Sequence, residues 1–524
     1  MSSPNPLGQP HNPLRGALSG GKFLYMVELV ASASAPEEKV FDAAAKLAEI
    51  PEIVAAGITS YAGGSAGHDP IRIGTGVRAR GLAPNIHLTC VNKSREEILA
   101  ALGTLQTLGI ENVFAITGDY PLQTEPRPPG SGPSSNAFYD LDSVQLVEMI
   151  AELRERGYPF YISVAVSPFK YTEADCVYQY LKLEKKIAAG ADFAITQLGY
   201  DARKFRELKR YLNDRGLKTP VLGNVYILPA GAARKFSKGE PPGCWVSPEL
   251  LEKVQEEAKA PDKGVAARLE RAARMAAIVR GLGYAGVYLG GGHQADQMRW
   301  IIQRSQEIAP QWEQFAEEIS YSPKNGFFFF ESPRPKRTLP LPLRITDKFA
   351  ELFPVKKGDS AMRALLSGIF RWVDKRPAVA HFVERAELAF KKPVFGCQAC
   401  GNCVLGEMEY VCPMTCPKNM RNGPCGGTFN GQCEVLPDRA CIWVKVYEHA
   451  QAANRVQDLK VFIPPRNRAL EGTSSFINLF LNRDSRPGHP QPLITIAPAP
   501  VPEQPPERPP EGPPERPMLK AGGE

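Results

Sequence analysis

The twelve residues Lys186–Gln197, KIAAGADFAITQ, contain the structural unit from which most of this chain is built. They complete an amphipathic helix, turn at Gly190 and enter a short apolar strand. The same alternation of strand and helix runs from Phe23 to about Ile308 and gives eight units. Alternation of this kind predicts a parallel sheet, and eight units in about 250 residues is the usual size of a closed barrel.

The predicted fold class is therefore α/β: a (β/α)8 TIM barrel followed by a helical linker and a small cysteine-rich metal-binding domain. An open doubly wound sheet is the alternative, but no glycine fingerprint for dinucleotide binding follows the first strand. The predicted segments are a disordered N-terminal arm (1–20), the barrel (21–320), a linker and helical segment (321–392), the cysteine-rich domain (393–461) and an extended, Pro-rich disordered tail (462–524).

Composition narrows the class of function. The chain has 524 residues, of which 43% are hydrophobic and 23% charged, as in ordinary globular proteins. A net charge of +7 is small for this length, so we expect no nucleic-acid partner. No apolar run is long enough to span a membrane, and the first twenty residues lack the apolar core of a signal peptide. We therefore expect a cytoplasmic protein.

Polar residues recur where the apolar strands end, and in a barrel these ends form the active site. The strand-end residues are Glu28, Thr59, His87, Thr89, Asp119, Ser167, Gln197, Asn224 and His293. Glu28 interrupts an otherwise apolar strand, so its pKa should be raised, as general-acid catalysis requires. The alternative is that Glu28 lies on a solvated strand edge.

Five motifs in order resemble methylenetetrahydrofolate reductases and together cover about Phe23 to Ile308. They are His87-Leu88-Thr89-Cys90, Gly109-Ile110-Glu111-Asn112-Val113, Thr117-Gly118-Asp119-Tyr120-Pro121, Tyr139-Asp140-Leu141-Asp142-Ser143-Val144 and Lys186–Gln197. The sequence departs from that family's pattern in four places. Thr117 and His293 each stand where an arginine is usual, Leu29-Val30 follows Glu28 in place of an aromatic-proline run, and the stretch Thr59–Gly64 differs from the usual Thr-Tyr-Gly-Ala.

The resemblance implies a role for each matching residue. Glu28 is similar to the acid that protonates N10 of the folate, so that the five-membered ring opens to an iminium. Asp119 corresponds to a carboxylate that supports this cation and tunes the flavin. The implied flavin contacts are Thr59, His87, Thr117, Gly118, Asp119, Tyr139 and Lys186, and the implied substrate contacts are Asp119, Gln197 and His293. The implied cofactor is FAD, with FMN as the alternative.

Eight of the eleven cysteines fall between Cys397 and Cys441. In a chain without an export signal, such clustering indicates metal binding rather than disulfides. The predicted ligands are Cys397, Cys400, Cys403, Cys412, Cys416, Cys425, Cys433 and Cys441. The spacing of the first three, with a later Cys-Pro, is typical of a [4Fe-4S] cluster, and zinc is the competing metal. This region, above all Arg421-Asn422-Gly423-Pro424-Cys425-Gly426-Gly427, resembles the cysteine-rich C-terminal domain of some bacterial methylenetetrahydrofolate reductases.

The predicted function is flavin-dependent reduction of 5,10-methylenetetrahydrofolate to 5-methyltetrahydrofolate in one-carbon metabolism and methionine synthesis. Electrons would come from NAD(P)H or, through the cysteine-rich domain, from a ferredoxin-type donor, and we expect a homo-oligomer. Two alternatives remain at this point. One is a non-catalytic barrel scaffold that carries an iron–sulfur electron-transfer module, and the other is a different flavin barrel oxidoreductase.

Overall fold

The computed structural model of the chain describes residues 12–32, 36–59, 61–62, 65–121, 137–352, 361–487 and 493–494. Most of the predicted N-terminal arm and most of the Pro-rich tail therefore lie outside the described residues. Within the described residues, no helix is both long and apolar enough to cross a membrane.

Eight parallel strands close into a barrel, which confirms the predicted (β/α)8 fold. In chain order they are β1 (Leu24–Val30), β2 (Ile53–Thr59), β5 (Ala83–Thr89), β6 (Asn112–Ile116), β7 (Tyr161–Val166), β8 (Phe193–Thr196), β9 (Val221–Tyr226) and β10 (Gly286–Gly290). A two-stranded antiparallel pair, β3 (Tyr61–Ala62) and β4 (Ser65–Ala66), follows β2. Strand β1 pairs with both β2 and β10, so the barrel sheet has no free edge.

Helices alternate with the barrel strands along the chain. They are α2 (Glu37–Ala48), α3 (Pro70–Arg78), α4 (Arg95–Thr107), α5 (Ser143–Glu155), α6 (Glu173–Ala188), α7 (Ala202–Asp214), α8 (Ala230–Phe236), α9 (Pro248–Glu257), α10 (Val265–Gly281), α11 (Ala295–Glu307) and α12 (Trp312–Glu318). Capping boxes begin two of them: Ser94 with Glu97 at α4, and Asp142 with Gln145 at α5. Each box satisfies N–H groups that the first helical turn leaves without partners.

The barrel interior is filled by alternate residues of the strands. Leu24 and Met26 of β1 belong to the same buried cluster as Phe114 and Tyr288 from other strands. Helix α1 (Pro13–Ser19) adds Leu14 and Leu18 to this cluster. Asn12 caps the helix and also donates a hydrogen bond to the Asn112 side chain (2.8 Å) at the start of β6, so α1 packs at the N-terminal end of the barrel.

The predicted disorder of residues 1–20 is therefore wrong for 12–20. The sequence does carry the local signals of a helix there, since Asn12 is a good N-cap and Pro13 suits the first helical position. Leu14 and Leu18 are four residues apart and face the barrel together. The high Pro, Ser and Gly content of residues 1–20 led to the prediction of disorder, although this short helix is present.

The C-terminal part is built from helices around an irregular cysteine-rich segment. The helices are α13 (Leu341–Leu352), α14 (Ala361–Asp374), α15 (Pro377–Phe395), α16 (Ile442–Ala452) and α17 (Ser475–Phe480). Phe480 of α17 stacks on Phe370 of α14 at 4.8 Å. The predicted extended tail from 462 onward is thus wrong for 462–487, because these residues pack on the preceding helices and on the barrel.

Candidate functional site

Glu28 projects into the barrel because side chains alternate along a strand. Leu24 and Met26 fill the interior, so Glu28 is the next inward residue, near the carboxyl end of β1. It lies opposite Gly57 of β2 in the strand register. A Cβ atom at Gly290 would lie 2.9 Å from Glu28 Oε2, so this glycine makes room for the carboxylate. The solvated-edge interpretation is wrong, because the closed sheet has no edge at β1.

A chain of hydrogen bonds links Glu28 to three buried side chains. Thr59 Oγ1 donates to Glu28 Oε1 at 3.1 Å and lies 3.0 Å from His87 Nδ1. The Tyr288 hydroxyl lies 3.3 Å from His87 Nε2. When Thr59 donates to Glu28, its oxygen must accept from His87 Nδ1–H, and Nε2 is then free to accept from Tyr288. In this arrangement each of the three hydrogen bonds is donated in the direction of Glu28.

Burial sets the protonation of this group. It raises the pKa of Glu28, and the opposing effect of the Thr59 hydrogen bond is smaller. Burial also lowers the pKa of His87 to about 3, so the imidazole is neutral and has one donor and one acceptor nitrogen. The pKa of Tyr288 is raised by burial and then by the negative charge of Glu28. Glu28 is thus a carboxyl group that retains its proton to a higher pH than an exposed glutamate.

A second group of residues surrounds the end of β6. The Tyr139 hydroxyl donates to the Asp119 carbonyl at 3.2 Å, and the Tyr139 ring is buried. Lys418, from the cysteine-rich segment, donates to the Gly118 carbonyl at 2.9 Å. Its ammonium lies 5.7 Å from the centre of the Tyr139 ring. The structure therefore brings a cation from the C-terminal part of the chain to the predicted flavin contacts Gly118, Asp119 and Tyr139.

Cys244 connects the two groups of residues. Burial raises the pKa of its thiol, and the negative charges of Asp119 and Glu28 raise it further. Burial also raises the pKa of Tyr226 to about 12, again with a contribution from Glu28. The Cys244 thiol therefore lies close enough to both carboxyl groups to interact with them electrostatically. Glu28 and Asp119, which come from different strands, share one end of the barrel as their strand-end positions predict.

The other predicted site residues occupy distinct environments. His293 is exposed, and its ring interacts with the main chain of Glu28. Gln197 is partly buried, and its side-chain oxygen accepts from the Leu198 N–H at 2.9 Å. Lys186 is buried and donates to the Ala165 carbonyl of β7 at 2.6 Å, and burial lowers its pKa to about 7. Thr117 is buried directly after β6.

Two buried oxygen atoms near the strand ends have no protein partner within the described residues: Ser167 Oγ, directly after β7, and Asn224 Oδ1 in β9. Leaving a buried polar atom unpaired costs about 1–3 kcal/mol, so such atoms usually mark an absent water or ligand. These two atoms fit a polar ring system bound in the barrel.

The cysteine-rich segment packs on the barrel through Asp142 and lysines of the α6 region. Asp142 Oδ2 accepts from the main-chain N–H groups of Arg421 (3.1 Å) and Asn422 (3.0 Å). Lys182 donates to the Pro424 carbonyl at 2.9 Å, and Lys170 donates to the Gly426 carbonyl at 2.7 Å. The barrel motif 139–144 and the cysteine-rich motif 421–427 are therefore in direct contact.

All eleven cysteines are free thiols. Within the described residues, no group of three or more His, Cys, Asp or Glu side chains is arranged to hold a metal ion. The eight clustered cysteines nevertheless separate into two sets of four. Cys397, Cys400, Cys403 and Cys412 line one cavity of about 20 Å³. Cys441 interacts electrostatically with the other three, Cys416, Cys425 and Cys433.

Comparison with known proteins agrees with this architecture. A family model described as methylenetetrahydrofolate reductase matches residues 14–279, and one described as methylene-tetrahydrofolate reductase C terminal matches residues 376–469. The chain belongs to the methylenetetrahydrofolate reductase family. The resemblance predicted from the five barrel motifs and from the cysteine-rich segment is confirmed, including the presence of both domains in one chain.

Curated relatives match part of the chain. The 5,10-methylenetetrahydrofolate reductase of Salmonella typhimurium is 30% identical over 167 residues, 31% of this chain and 50% of the relative. Methylenetetrahydrofolate reductase 2 of Schizosaccharomyces pombe is 29% identical over 184 residues, 32% of this chain and 27% of the relative. The matches thus cover half or less of these family members.

Sequence reasoning missed Tyr288 and Lys418. Tyr288 lies in an apolar strand, where a tyrosine usually packs in the core. Its signal was its position two residues before the strand end, on the same face as Gly290, with Gly57 making room for its hydroxyl. Lys418 follows Cys416-Pro417, and nothing in its local sequence indicates contact with the barrel.

Proposed function

We propose that this protein reduces 5,10-methylenetetrahydrofolate to 5-methyltetrahydrofolate, using a flavin bound at the carboxyl end of the barrel. Family membership supports the substrate class. The observation that carries the proposal is the partly buried, inward-facing Glu28 carboxyl, whose pKa is raised and which accepts a hydrogen bond from the neutral Thr59 hydroxyl. Methyltetrahydrofolate would then serve one-carbon metabolism and methionine synthesis.

Glu28 acts as the general acid in this proposal. A carboxyl that keeps its proton can deliver it to N10 of the folate, and the five-membered ring then opens to an iminium. The cation that results is favoured by the negative charge of Asp119 at the same end of the barrel. Two carboxyl groups with different environments thus take two different roles.

The Thr59–His87–Tyr288 chain stabilises both states of Glu28. The ionised carboxylate accepts from Thr59, as described above. When Glu28 is protonated, it can donate to Thr59, which then donates to His87 Nδ1, while Nε2–H donates to Tyr288. The three hydrogen bonds can reverse because each hydroxyl and the neutral imidazole both donate and accept. The imidazole then carries its proton on Nε2, and the Tyr288 hydroxyl hydrogen turns to another acceptor.

The residues that would hold the flavin are Thr59, His87, Thr117, Gly118, Asp119, Tyr139 and Lys186. The flavin, FAD or alternatively FMN, supplies the hydride chemistry when bound. Gln197 and His293 would contact the folate, with Gln197 also facing the nicotinamide donor. Lys186 would face phosphate, and this needs a change of partner because it now donates to Ala165.

We propose further that each set of four cysteines holds one metal centre. Four thiolates match either a [4Fe-4S] cluster or a tetrahedral zinc site. The first set, with its two-residue spacings, favours the cluster. Such a centre would allow electrons to enter from a ferredoxin-type donor, while NAD(P)H remains the donor at the flavin. A cytoplasmic location and a homo-oligomeric assembly stay predictions.

The test of the proposal is Glu28→Gln in anaerobically purified protein. We expect dithionite to reduce the bound flavin as in wild type, while oxidation of the reduced flavin by methylenetetrahydrofolate is lost. Glu38→Gln, at an exposed position of α2, is the matched control and should behave as wild type. Full folate turnover in Glu28→Gln would remove Glu28 from the mechanism, and a protein that binds no flavin would refute the proposed function.

A further inference from the structure

Lys418 differs from Lys170 and Lys182, two other buried lysines at the contact between the two domains. Lys170 and Lys182 belong to the barrel and donate to carbonyls of the cysteine-rich segment. Lys418 belongs to the cysteine-rich segment and donates to Gly118, 300 residues away in sequence. Its side chain is only 2% exposed, so its charge is held in place rather than solvated.

The surroundings of Lys418 connect it to the candidate active site. Its ammonium bonds the carbonyl directly before Asp119 and interacts electrostatically with the Asp119 carboxylate. It also lies over the Tyr139 ring, and the Tyr139 hydroxyl donates to the Asp119 carbonyl. The main chain at 118–119 is therefore held by one side chain from each domain.

Glu434 holds the other side of Lys418. The two form an ion pair in which both side chains are 2% exposed, and the second carboxylate oxygen accepts from Cys425 Sγ at 3.1 Å. Burying two charges costs several kcal/mol per ion, which the pair recovers only with good geometry and further hydrogen bonds. A pair that served only to join the domains could be apolar at lower cost. The charged Lys418 ammonium instead lies at the end of β6, beside Gly118 and Asp119.

We propose that Lys418 is a positioning residue of the barrel active site, through which the C-terminal domain fixes the main chain at Gly118–Asp119 and supplies the positive charge that faces Asp119. The inference rests on the proposed function, which it deepens. It follows that the barrel site is incomplete without the C-terminal domain, although the predicted catalytic groups all lie in the barrel.

The test compares Lys418→Met/Glu434→Gln with wild type in the full-length flavin-loaded protein. The double variant removes the cation without leaving Glu434 buried and unpaired, so it avoids the folding defect that Lys418→Met alone risks. Lys418→Arg keeps the charge, and Lys182→Met removes a hydrogen bond between the domains away from residues 117–119. The measurements are kcat and KM with methylenetetrahydrofolate and the midpoint potential of the flavin.

We expect the double variant to lose at least tenfold in kcat with less change in KM. Its flavin should be harder to reduce, because the positive end of the Lys418–Glu434 pair, which contacts Gly118, is lost. The shift in midpoint potential should be smaller than for the loss of a single charge, since the Glu434 carboxylate is neutralised as well. Lys418→Arg should keep most of the wild-type kcat and flavin midpoint potential. Lys182→Met should match wild type in both quantities.

Wild-type kcat and potential in the double variant would overturn the inference. So would equal losses in Lys182→Met, because the effect would then come from weakened domain contact. A wild-type protein that binds flavin but does not reduce folate would refute the proposed function alone, and the potential would then decide the role of Lys418.

Discussion

Asp142→Asn should weaken the contact between the two domains. Asp142 is 1% exposed and uses its two oxygens for different purposes. Oδ1 accepts from Val144 N and Gln145 N and so caps α5. Oδ2 accepts from Arg421 N, Asn422 N and Asn422 Nδ2, at 3.0–3.1 Å. Asparagine keeps the cap but presents an NH2 group to these three donors.

The expected loss follows from these contacts. Hydrogen bonds to a charged group contribute about 1.5–3 kcal/mol each, and a buried donor left unpaired costs about 1–3 kcal/mol. Three such contacts on one atom are not additive, so we take about 4 kcal/mol for the whole. For domains of this size, 1 kcal/mol corresponds to about 2–4 °C in Tm. The transition that includes domain contact should fall by about 8–16 °C.

Differential scanning calorimetry of the full-length protein measures this shift, with limited proteolysis to show whether the C-terminal domain is released. Ser94→Ala is the control, because it removes only a helix cap, at α4, and should cost about 1 kcal/mol. If Asp142→Asn melts within about 2 °C of wild type, hydrogen bonding at Asp142 does not hold the domains together and the reasoning is wrong.

Three further predictions concern the site and the cysteines. Glu28 is the active acid when protonated, so the rate of folate reduction should fall as pH rises through the pKa of Glu28. Thr59→Val removes the hydrogen bond that lowers this pKa, so the fall in rate should move to higher pH in a stopped-flow pH profile. Thr59→Ser keeps the hydroxyl and should leave the profile unchanged. Gly290→Ala should lower kcat at least tenfold with little change in Tm, because its methyl group displaces the Glu28 carboxylate, and unchanged turnover would contradict the geometry. Cys412→Ser and Cys441→Ser should each remove one of the two proposed metal centres in elemental analysis, while the other centre stays. Loss of all bound metal from either single variant would refute the division into two sets.

The sequence predicted the barrel because its signal is repeated eight times. It predicted Glu28, Thr59 and His87 because each is a polar residue near the end of an apolar strand, which alternation turns inward. Tyr288 could not be recognised in this way, since an aromatic residue in a strand is as expected in a core as in a site. Only the register, which puts its hydroxyl against Gly57 and His87, shows what it does.

The positive charge that Lys418 places at the end of β6 also could not be predicted from the sequence. Thr117 stands where the family usually has an arginine, which weakened the predicted flavin contacts at that strand end. In the fold, Lys418 places a cation beside Gly118 from 300 residues away. The local residue pattern cannot predict this contact, because it carries no information about which surface of the C-terminal domain faces the barrel.

The motif 421–427 has a second role, because it forms part of the contact between the two domains. Its cysteine suggests metal binding, yet two of its N–H groups bind Asp142 and two of its carbonyls accept from Lys170 and Lys182. Asp142 in turn caps the N-terminus of α5, directly after the segment that contains Tyr139. A change in the geometry of the cysteine set around Cys425 would therefore reach Tyr139 and Gly118 by two routes, through Asp142 and through Glu434 with Lys418. With the proposed metal centre and the proposed flavin both bound, a change at one should therefore alter the other.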